Sequence, residues 1–258
     1  MTTYPLQQLL PANLYVYALV FSRVGAAIGL LPGIGDAYVP PRVRLVAALA
    51  IAILVAPLLA PQLPAEPKNF LTMFTQMLGE ISVGLFIGLT ARIILAILET
   101  AGAIIALQSN LSSALVFNPG VAHPETLPAS FYGAFAVVMM FVTNTYGMLL
   151  QAIVDSYNTF APGTFPPFDD MAHSMVRLVS HTFTLAVELA APYLILGTMF
   201  YVVLALIARI MPQLQVFYVA MPLQIMGGLV MLTLTVSSSI LWFLGAFEGM
   251  MRNLTSLQ

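Results

Sequence analysis

Three ionisable side chains lie inside the long apolar segment 70–107, where they could pair, relay protons or line a water path. On a helical wheel of roughly 100° per residue, they share a face of about 120° with several small residues. That face comprises Glu80, Gly84, Gly88, Arg92, Glu99, Gly102 and Ala106. A charge facing lipid would cost on the order of 3 kcal/mol, so this face should contact protein, a partner charge or water. An ordinary salt bridge between packed helices is the simpler interpretation of Glu80 and Arg92.

A second polar face lies in the apolar segment 171–209. It comprises His173, Arg177, His181, Thr184, Glu188 and Pro192. We hypothesise that the two faces contact each other or a shared aqueous axis. The residues of both faces are polar or small within an otherwise apolar helix. Such residues favour subunit packing and close approach of helix backbones. The residues that we assign to this polar seam are Glu80, Gly84, Gly88, Arg92, Glu99, Arg177, His181 and Glu188.

Catalytic motifs are scarce. Residues 33–36 read Gly-Ile-Gly-Asp, an arrangement found in intramembrane aspartyl proteases, but such enzymes need two aspartates inside the membrane. Asp36 lies in a proline-bounded loop, so we interpret the motif as a glycine turn. The three histidines form no metal-binding pattern, cysteine is absent, and no phosphate-binding or dinucleotide motif occurs. The sequence therefore predicts no enzyme activity, no metal and no cofactor.

Composition places the chain in a membrane. Of its 258 residues, 60% are hydrophobic and 7% charged, and the mean hydropathy is +0.96. Such a chain lacks the polar surface of a soluble globule, so membrane lipid or other subunits must cover it. The net charge of -2 and the absence of a basic run exclude a nucleic-acid partner.

Six apolar segments predict an all-α membrane protein with a single domain, residues 1–258. They cover residues 12–31, 45–59, 70–107, 128–154, 171–209 and 216–250, and every break between them carries proline. As one helix, segment 70–107 would be roughly 57 Å long against a bilayer core of about 30 Å. Because segments 70–107 and 171–209 are both too long for one span, we expect bent helical hairpins. Pro192 should bend the second of these.

Several stretches, taken in order, resemble the family of the flagellar biosynthetic protein FliR and its type III secretion counterparts. They are Arg23 with the Pro32-Gly33 turn, VPPRVRLVAALAIAILVAP at 39–57, Glu80 with Gly84 and Gly88, AGAIIALQSNLSSALVFNPG at 101–120, and ARIMPQLQVFYVAMPLQIMGGL at 208–229. The family turn motif here comprises Arg209, Pro212, Gln213 and Pro222. Two positions depart from the family: it commonly has Asn at position 215 and often a basic residue at position 224.

The resemblance implies a subunit of a multi-subunit helical export gate in the bacterial inner membrane, at the flagellar basal body. Its partners would be FliP-like and FliQ-like subunits, other membrane proteins of the type III apparatus, and unfolded export substrates. It also implies that loop 108–121 plugs the channel, with apolar side chains to occlude a pore and small residues to let the loop move. The plug residues would be Gln108, Asn110, Leu115, Val116, Phe117, Asn118, Pro119 and Gly120. A tight turn without gating is the alternative interpretation of the loop.

A different class of function also fits the polar seam. A secondary transporter or channel for a small solute would use such charges with proline-broken helices to build a site at mid-membrane. The chain shows no clear inverted repeat, which argues against a transporter. Purification separates the two functions, because a transporter should be stable alone and a gate subunit should not.

Overall fold

The structure is a computed structural model that describes residues 14–112, 126–211, 213 and 215–255. These residues form α-helices and one short 3₁₀ turn, Ala60–Gln62, and they include no strand. The helices are α1 (Leu14–Leu30), α2 (Pro41–Leu59), α3 (Phe70–Gln108), α4 (Leu127–Val142), α5 (Thr145–Thr159), α6 (Phe168–Ile210) and α7 (Val216–Thr255). The predicted all-α class is confirmed.

Proline residues lie in the first turn of two of these helices. α2 begins at Pro41, and α4 carries Pro128 in its first turn, positions where the missing N–H would have no intrahelical partner. Beyond these starts the chain is apolar enough to stay helical in a membrane, where each backbone group must be satisfied within its own segment. Among the described residues, four helices are long and apolar enough to cross a membrane, or five if α4 and α5 together form one span.

The predicted hairpins are wrong. α3 runs for 39 residues and α6 for 43 as continuous helices, and α6 continues through Pro192. A proline removes one hydrogen bond, and a long apolar helix retains the rest. The sharp break lies instead within the fourth apolar segment, where α4 and α5 meet at 77°. There Asn144 adopts a left-handed conformation with φ of 61°, which Asn tolerates better than most residues.

The chain divides into two compact units. In the described chain the first contains residues 14–93, 144–177 and 250–255, with fully buried Leu19, Val24 and Ile28 of α1 in its core. The second contains residues 94–112, 126–143 and 178–249 apart from 212 and 214. Its fully buried side chains include Ile105 of α3 and Phe243 of α7. α3 and α6 each contribute residues to both units.

Candidate functional site

Glu80 of the polar seam forms a buried ion pair with Arg23. The Arg23 Nε and a Glu80 carboxylate oxygen lie 2.7 Å apart, and each side chain is 1% exposed. Arg23 is the one charged residue of α1, and it crosses to α3 at the centre of the first unit. A buried pair of this kind is stable only if its remaining polar atoms are also satisfied.

The residues around this pair satisfy those atoms. Arg23 also donates to the hydroxyl of Ser156 and to the carbonyl oxygen of Phe160, at 3.1 Å each. Its guanidinium lies 3.9 Å from the ring centroid of Tyr157, a cation–π geometry. The second Glu80 oxygen accepts from the backbone N–H of Gly163 at 2.9 Å. The arrangement ties α1, α3, α5 and the loop after α5 together, and we call it the ion cluster.

The two seam glycines bring α1 against α3. A Cβ at Gly84 would lie 2.2 Å from the Arg23 carbonyl oxygen, and one at Gly88 would lie 2.8 Å from that of Ala27. Backbone atoms cannot yield at such distances, so any side chain at Gly84 would separate the helices. The glycines thus set the spacing at which Arg23 reaches Glu80.

Arg92 of the seam pairs with Asp36 in the loop after α1. The guanidinium and the carboxylate are 3.0 Å apart, and Arg92 remains about half exposed. Asp36 also accepts from the Gly33 N–H at 2.8 Å and from the Tyr38 hydroxyl at 2.9 Å. Desolvation, followed by the hydrogen bond to Asp36, raises the pKa of Tyr38 to about 12. Gly33 has φ of 88°, and the Gly-Ile-Gly-Asp segment is therefore a hydrogen-bonded turn.

The remaining seam residues lie in differing surroundings. The Glu99 carboxylate lies against Gly133, one oxygen 3.4 Å from where a Cβ would stand. Arg177, His181 and Glu188 on α6 are exposed within this chain. The ion partners of Glu80 and Arg92 lie on α1 and in the loop that follows it, and not on α6.

A second polar arrangement surrounds the carboxyl end of α3, where the predicted plug begins. The Gln224 side chain on α7 donates to the Gln108 carbonyl oxygen at 2.6 Å. Its own oxygen accepts from the Asn110 side-chain nitrogen at 3.0 Å. Asn110 is left-handed, with φ of 59°, and the Ser112 N–H closes the turn by donating to Ala106 O at 3.2 Å. We call these residues the α3 exit.

Two glycines make room for the α3 exit. A Cβ at Gly228 of α7 would lie 2.2 Å from the Ser109 Cβ, and one at Gly197 of α6 would lie 2.2 Å from the Gln108 side-chain oxygen. A cavity of about 290 Å³ adjoins the exit, with Tyr193 and Phe200 among its lining residues. The other predicted plug residues, Leu115, Val116, Phe117, Asn118, Pro119 and Gly120, lie outside the described residues.

The residues of the family turn motif lie around the junction of α6 and α7. Arg209 lies in the last turn of α6, where a cation interacts favourably with the helix dipole. Gln213 is exposed in the turn between α6 and α7, and Pro222 lies inside α7. Pro212 lies outside the described residues.

Sequence reasoning missed the partners in both arrangements. In the sequence Arg23 stands out only through the family resemblance, although the lone charge of an apolar helix needs a carboxylate partner. No local signal identifies Ser156 or Tyr157 as its neighbours. Gln224 departs from the family pattern, and its position facing the end of α3 follows only from the fold.

Comparison with known proteins agrees with the helical membrane architecture. The sequence model described as "Bacterial export proteins, family 1" matches residues 14–250. The flagellar biosynthetic protein FliR of Caulobacter vibrioides is 37% identical over 225 residues, 87% of this chain and 90% of that protein. FliR of Bacillus subtilis is 30% identical, covering 86% of each chain. The Yop proteins translocation protein T of Yersinia pestis is 29% identical, covering 84% of each chain.

The match to the family model extends across both compact units and nearly the whole described chain. It spans the positions of Arg23, Glu80 and Gln224. The chain therefore belongs to bacterial export protein family 1, the FliR and type III secretion export family that its sequence resembles.

Proposed function

We propose that this chain is a gate subunit of a type III protein export apparatus and forms part of the channel for unfolded export substrates. Loop 108–121 serves as the channel plug. The observation that supports the plug is the α3 exit, where Gln224 and the left-handed Asn110 hold the first residues of the loop against α7. A loop that closes a channel needs such a rigid base, because a plug that wanders does not seal.

The channel wall is completed by other subunits, which we propose to be FliP-like and FliQ-like. Buried residues make up only 22% of the most apolar stretch of α6 and 17% of that of α7, against 56% for α3. Lipid could cover an apolar face, but α6 also exposes Arg177, His181 and Glu188. Since charges that face lipid are costly, these three side chains contact either partner subunits or water. The assembly resides in the bacterial inner membrane, at the flagellar basal body.

The transporter alternative loses part of its support. It used the charges of Glu80, Arg92, Glu99, Arg177 and Glu188, and Glu80 and Arg92 have ion partners in this chain. The ion cluster is a closed structural arrangement, with Glu80 accepting from Arg23 and Gly163 through its two oxygens. The proposed single gate domain, residues 1–258, therefore acts with its partners.

The plug is tested by deleting residues 113–119 in the complex reconstituted with its partner subunits. We expect an ion conductance well above that of the parent complex, because the occluding side chains are removed while the α3 exit is kept. The matched control replaces the same residues with seven others of similar size and polarity in shuffled order. Equal conductance of the deletion and parent complexes would remove the gating role.

The wall is tested by R177Q and E188Q, each of which removes a charge and keeps a polar side chain, the second with nearly the same size. We expect less FliP-like and FliQ-like protein to copurify with either variant. The matched control is D170N, an equally exposed carboxylate in the first turn of the same helix. Full copurification of both seam variants would contradict packing through this face.

A further inference from the structure

A cavity of about 510 Å³ lies within the first compact unit and is lined by residues of α1, α2 and α3. Most of the lining residues are small or apolar, such as Gly29 of α1, Ala48 of α2 and Leu85 of α3. Among the described lining residues Ser22 carries the only hydroxyl, and it donates to the Ala18 carbonyl oxygen of its own helix at 2.8 Å. The cavity therefore offers mainly apolar surface to a ligand.

One lining residue is charged. Arg44 is the fourth residue of α2, and its Nε donates to the Val39 carbonyl oxygen at 3.0 Å. One terminal nitrogen donates to the Asp36 and Val39 carbonyl oxygens at 2.7 and 2.9 Å. A guanidinium has five N–H groups, so the two on the other terminal nitrogen have no acceptor among the described residues. Paired N–H groups of this kind bind the oxygens of a phosphate well.

Positive charge accumulates at this end of the cavity. Within the described chain neither Arg44 nor the exposed Arg42 has a carboxylate at ion-pair distance. Asp36 is the one acid in the loop before α2, and it pairs with Arg92. The first turn of α2 contains no acidic residue, although the amino end of a helix favours negative charge. Charge complementarity therefore calls for an anionic group beside Arg44.

The apolar part of the cavity fits an acyl chain. The segment Pro41–Gln62 is long and apolar enough to cross a membrane, which places the first turn of α2 at the level of the lipid headgroups. Leu45 lines the cavity, and the same helix face stays apolar and exposed at Leu49 and Ile53. An acyl chain needs only such surface, whereas an extended protein segment would bring backbone N–H and C=O groups that apolar walls leave without partners.

We propose that this cavity is a binding site for an anionic phospholipid, with the lipid phosphate at Arg44 and one acyl chain against α1, α2 and α3. Along α1 the lining runs from Phe21 to Gly29, roughly 12 Å at about 1.5 Å per residue, so the rest of the chain lies along the exposed face of α2. A zwitterionic lipid binds less well, because its ammonium group offsets the phosphate charge and is repelled by the two arginines. The site involves no residue of loop 108–121 and goes beyond the proposed export function.

The experiment uses the full chain in the complex that it forms with its partner subunits. The complex is reconstituted in nanodiscs of phosphatidylcholine that contain a small fraction of either phosphatidylglycerol or phosphatidylcholine with a photoreactive group in one acyl chain. After illumination, peptide mass spectrometry measures the fraction of this subunit cross-linked at the residues that line the cavity. We expect at least about fivefold more cross-linking by the phosphatidylglycerol probe, because a basic residue near the membrane surface contributes about that factor in affinity for anionic lipid.

Two substitutions of Arg44 separate its charge from its place in the loop. In R44Q we expect cross-linking by the phosphatidylglycerol probe to fall about fivefold, with little change for the phosphatidylcholine probe. R44K loses the fixed geometry of the guanidinium and keeps the charge, so it should stay within about twofold of the parent. Equal losses in R44Q and R44K would overturn recognition of the lipid by charge.

A leucine at Gly29 tests the cavity itself. A Cβ at this lining position meets nothing within 4 Å, so in G29L the side chain takes up space that the acyl chain needs. We expect cross-linking at the cavity to fall for both probes. The matched control is G245L on α7, where a Cβ also meets nothing within 4 Å and which does not line the cavity.

The remaining outcomes decide between occupants of the cavity. Equal cross-linking of the cavity by the two probes in the parent would overturn the preference for an anionic headgroup. If both probes reach other membrane-facing residues of this subunit and miss the cavity, a partner subunit covers it and the proposal fails. A phosphatidylglycerol signal that is lost in R44Q and G29L and kept in R44K and G245L supports the site.

Discussion

The two polar arrangements join helices by opposite chemistry. The ion cluster joins a guanidinium to a carboxylate, each 1% exposed, and adds an aromatic face and three further hydrogen bonds. The α3 exit uses one neutral amide, two hydrogen bonds and two glycine spaces beside a cavity. Both lie among apolar helices, yet only one of them is built around charge.

The difference separates a fixed joint from a releasable one. Removing one partner of a buried ion pair costs about 3–5 kcal/mol, because the other charge is left without compensation. Neutral hydrogen bonds contribute about 0.5–1.5 kcal/mol each, so the two at the α3 exit total about 1–3 kcal/mol. Inverting a two-state equilibrium from 1:99 to 99:1 takes about 5.5 kcal/mol of differential binding. Breaking the hydrogen bonds of the α3 exit therefore costs less free energy than breaking the ion cluster.

The largest loss of stability should come from removing one charge of the ion cluster, and this substitution tests the comparison most directly. In R23M we expect a loss of about 3–5 kcal/mol, since Glu80 would remain buried and unpaired. The measurement is thermal stability of the purified complex. The double variant R23M/E80L should recover a large part of that loss, because it leaves no isolated charge. Equal stability of R23M and the parent would show that the cluster is not a fixed joint.

The next largest effect should come from the glycine spacing beneath the cluster. A methyl group at Gly84 meets the Arg23 carbonyl oxygen at 2.2 Å, so G84A should cost about 1–3 kcal/mol by overpacking. The control is G29A on α1, where a Cβ meets nothing within 4 Å. That variant should be neutral or gain up to about 1 kcal/mol from helix propensity. Similar melting temperatures for the two variants would contradict the close packing.

At the α3 exit the same type of substitution should cost less stability than at the ion cluster. Q224L removes both hydrogen bonds, and we expect it to cost about 1–3 kcal/mol. We compare its thermal stability with that of R23M. A stability loss as large as that of R23M would erase the distinction between fixed and releasable joints.

The smallest effect should come from the exposed pair Arg92–Asp36. With Arg92 about half exposed, the charge attraction is screened, and R92Q should cost about 0–1 kcal/mol. D36N should cost more than R92Q, because Asp36 also accepts from Gly33 and Tyr38. Thermal stability of the two complexes at low and high salt tests this order. A loss in R92Q matching that in R23M would mean that partner subunits bury Arg92.

Much of the helical architecture could be predicted from the sequence. The segment predicted over 70–107 is α3 (Phe70–Gln108), and the segment predicted from residue 216 is α7 (Val216–Thr255). Long apolar runs with proline-bearing breaks leave few other ways to satisfy the backbone in a membrane. The hairpins predicted for α3 and α6 are wrong, since both are uninterrupted helices, and the 77° break lies between α4 and α5 at Asn144. Glu80, Gly84 and Gly88, which the helical wheel groups on one face, contact α1 in the structure.

The sequence alone determined that this chain is an all-α membrane protein of the export family, because composition, segment length and motif order are local properties of the chain. Only the tertiary structure decided that Arg23 is the partner of Glu80, that Ser156 and Tyr157 surround it, and that Gln224 holds the end of α3. A helical wheel gives the direction in which a side chain points and says nothing about what lies opposite. The Arg23–Glu80 and Asn110–Gln224 contacts span 57 and 114 residues, and such separations become neighbours only when the helices pack.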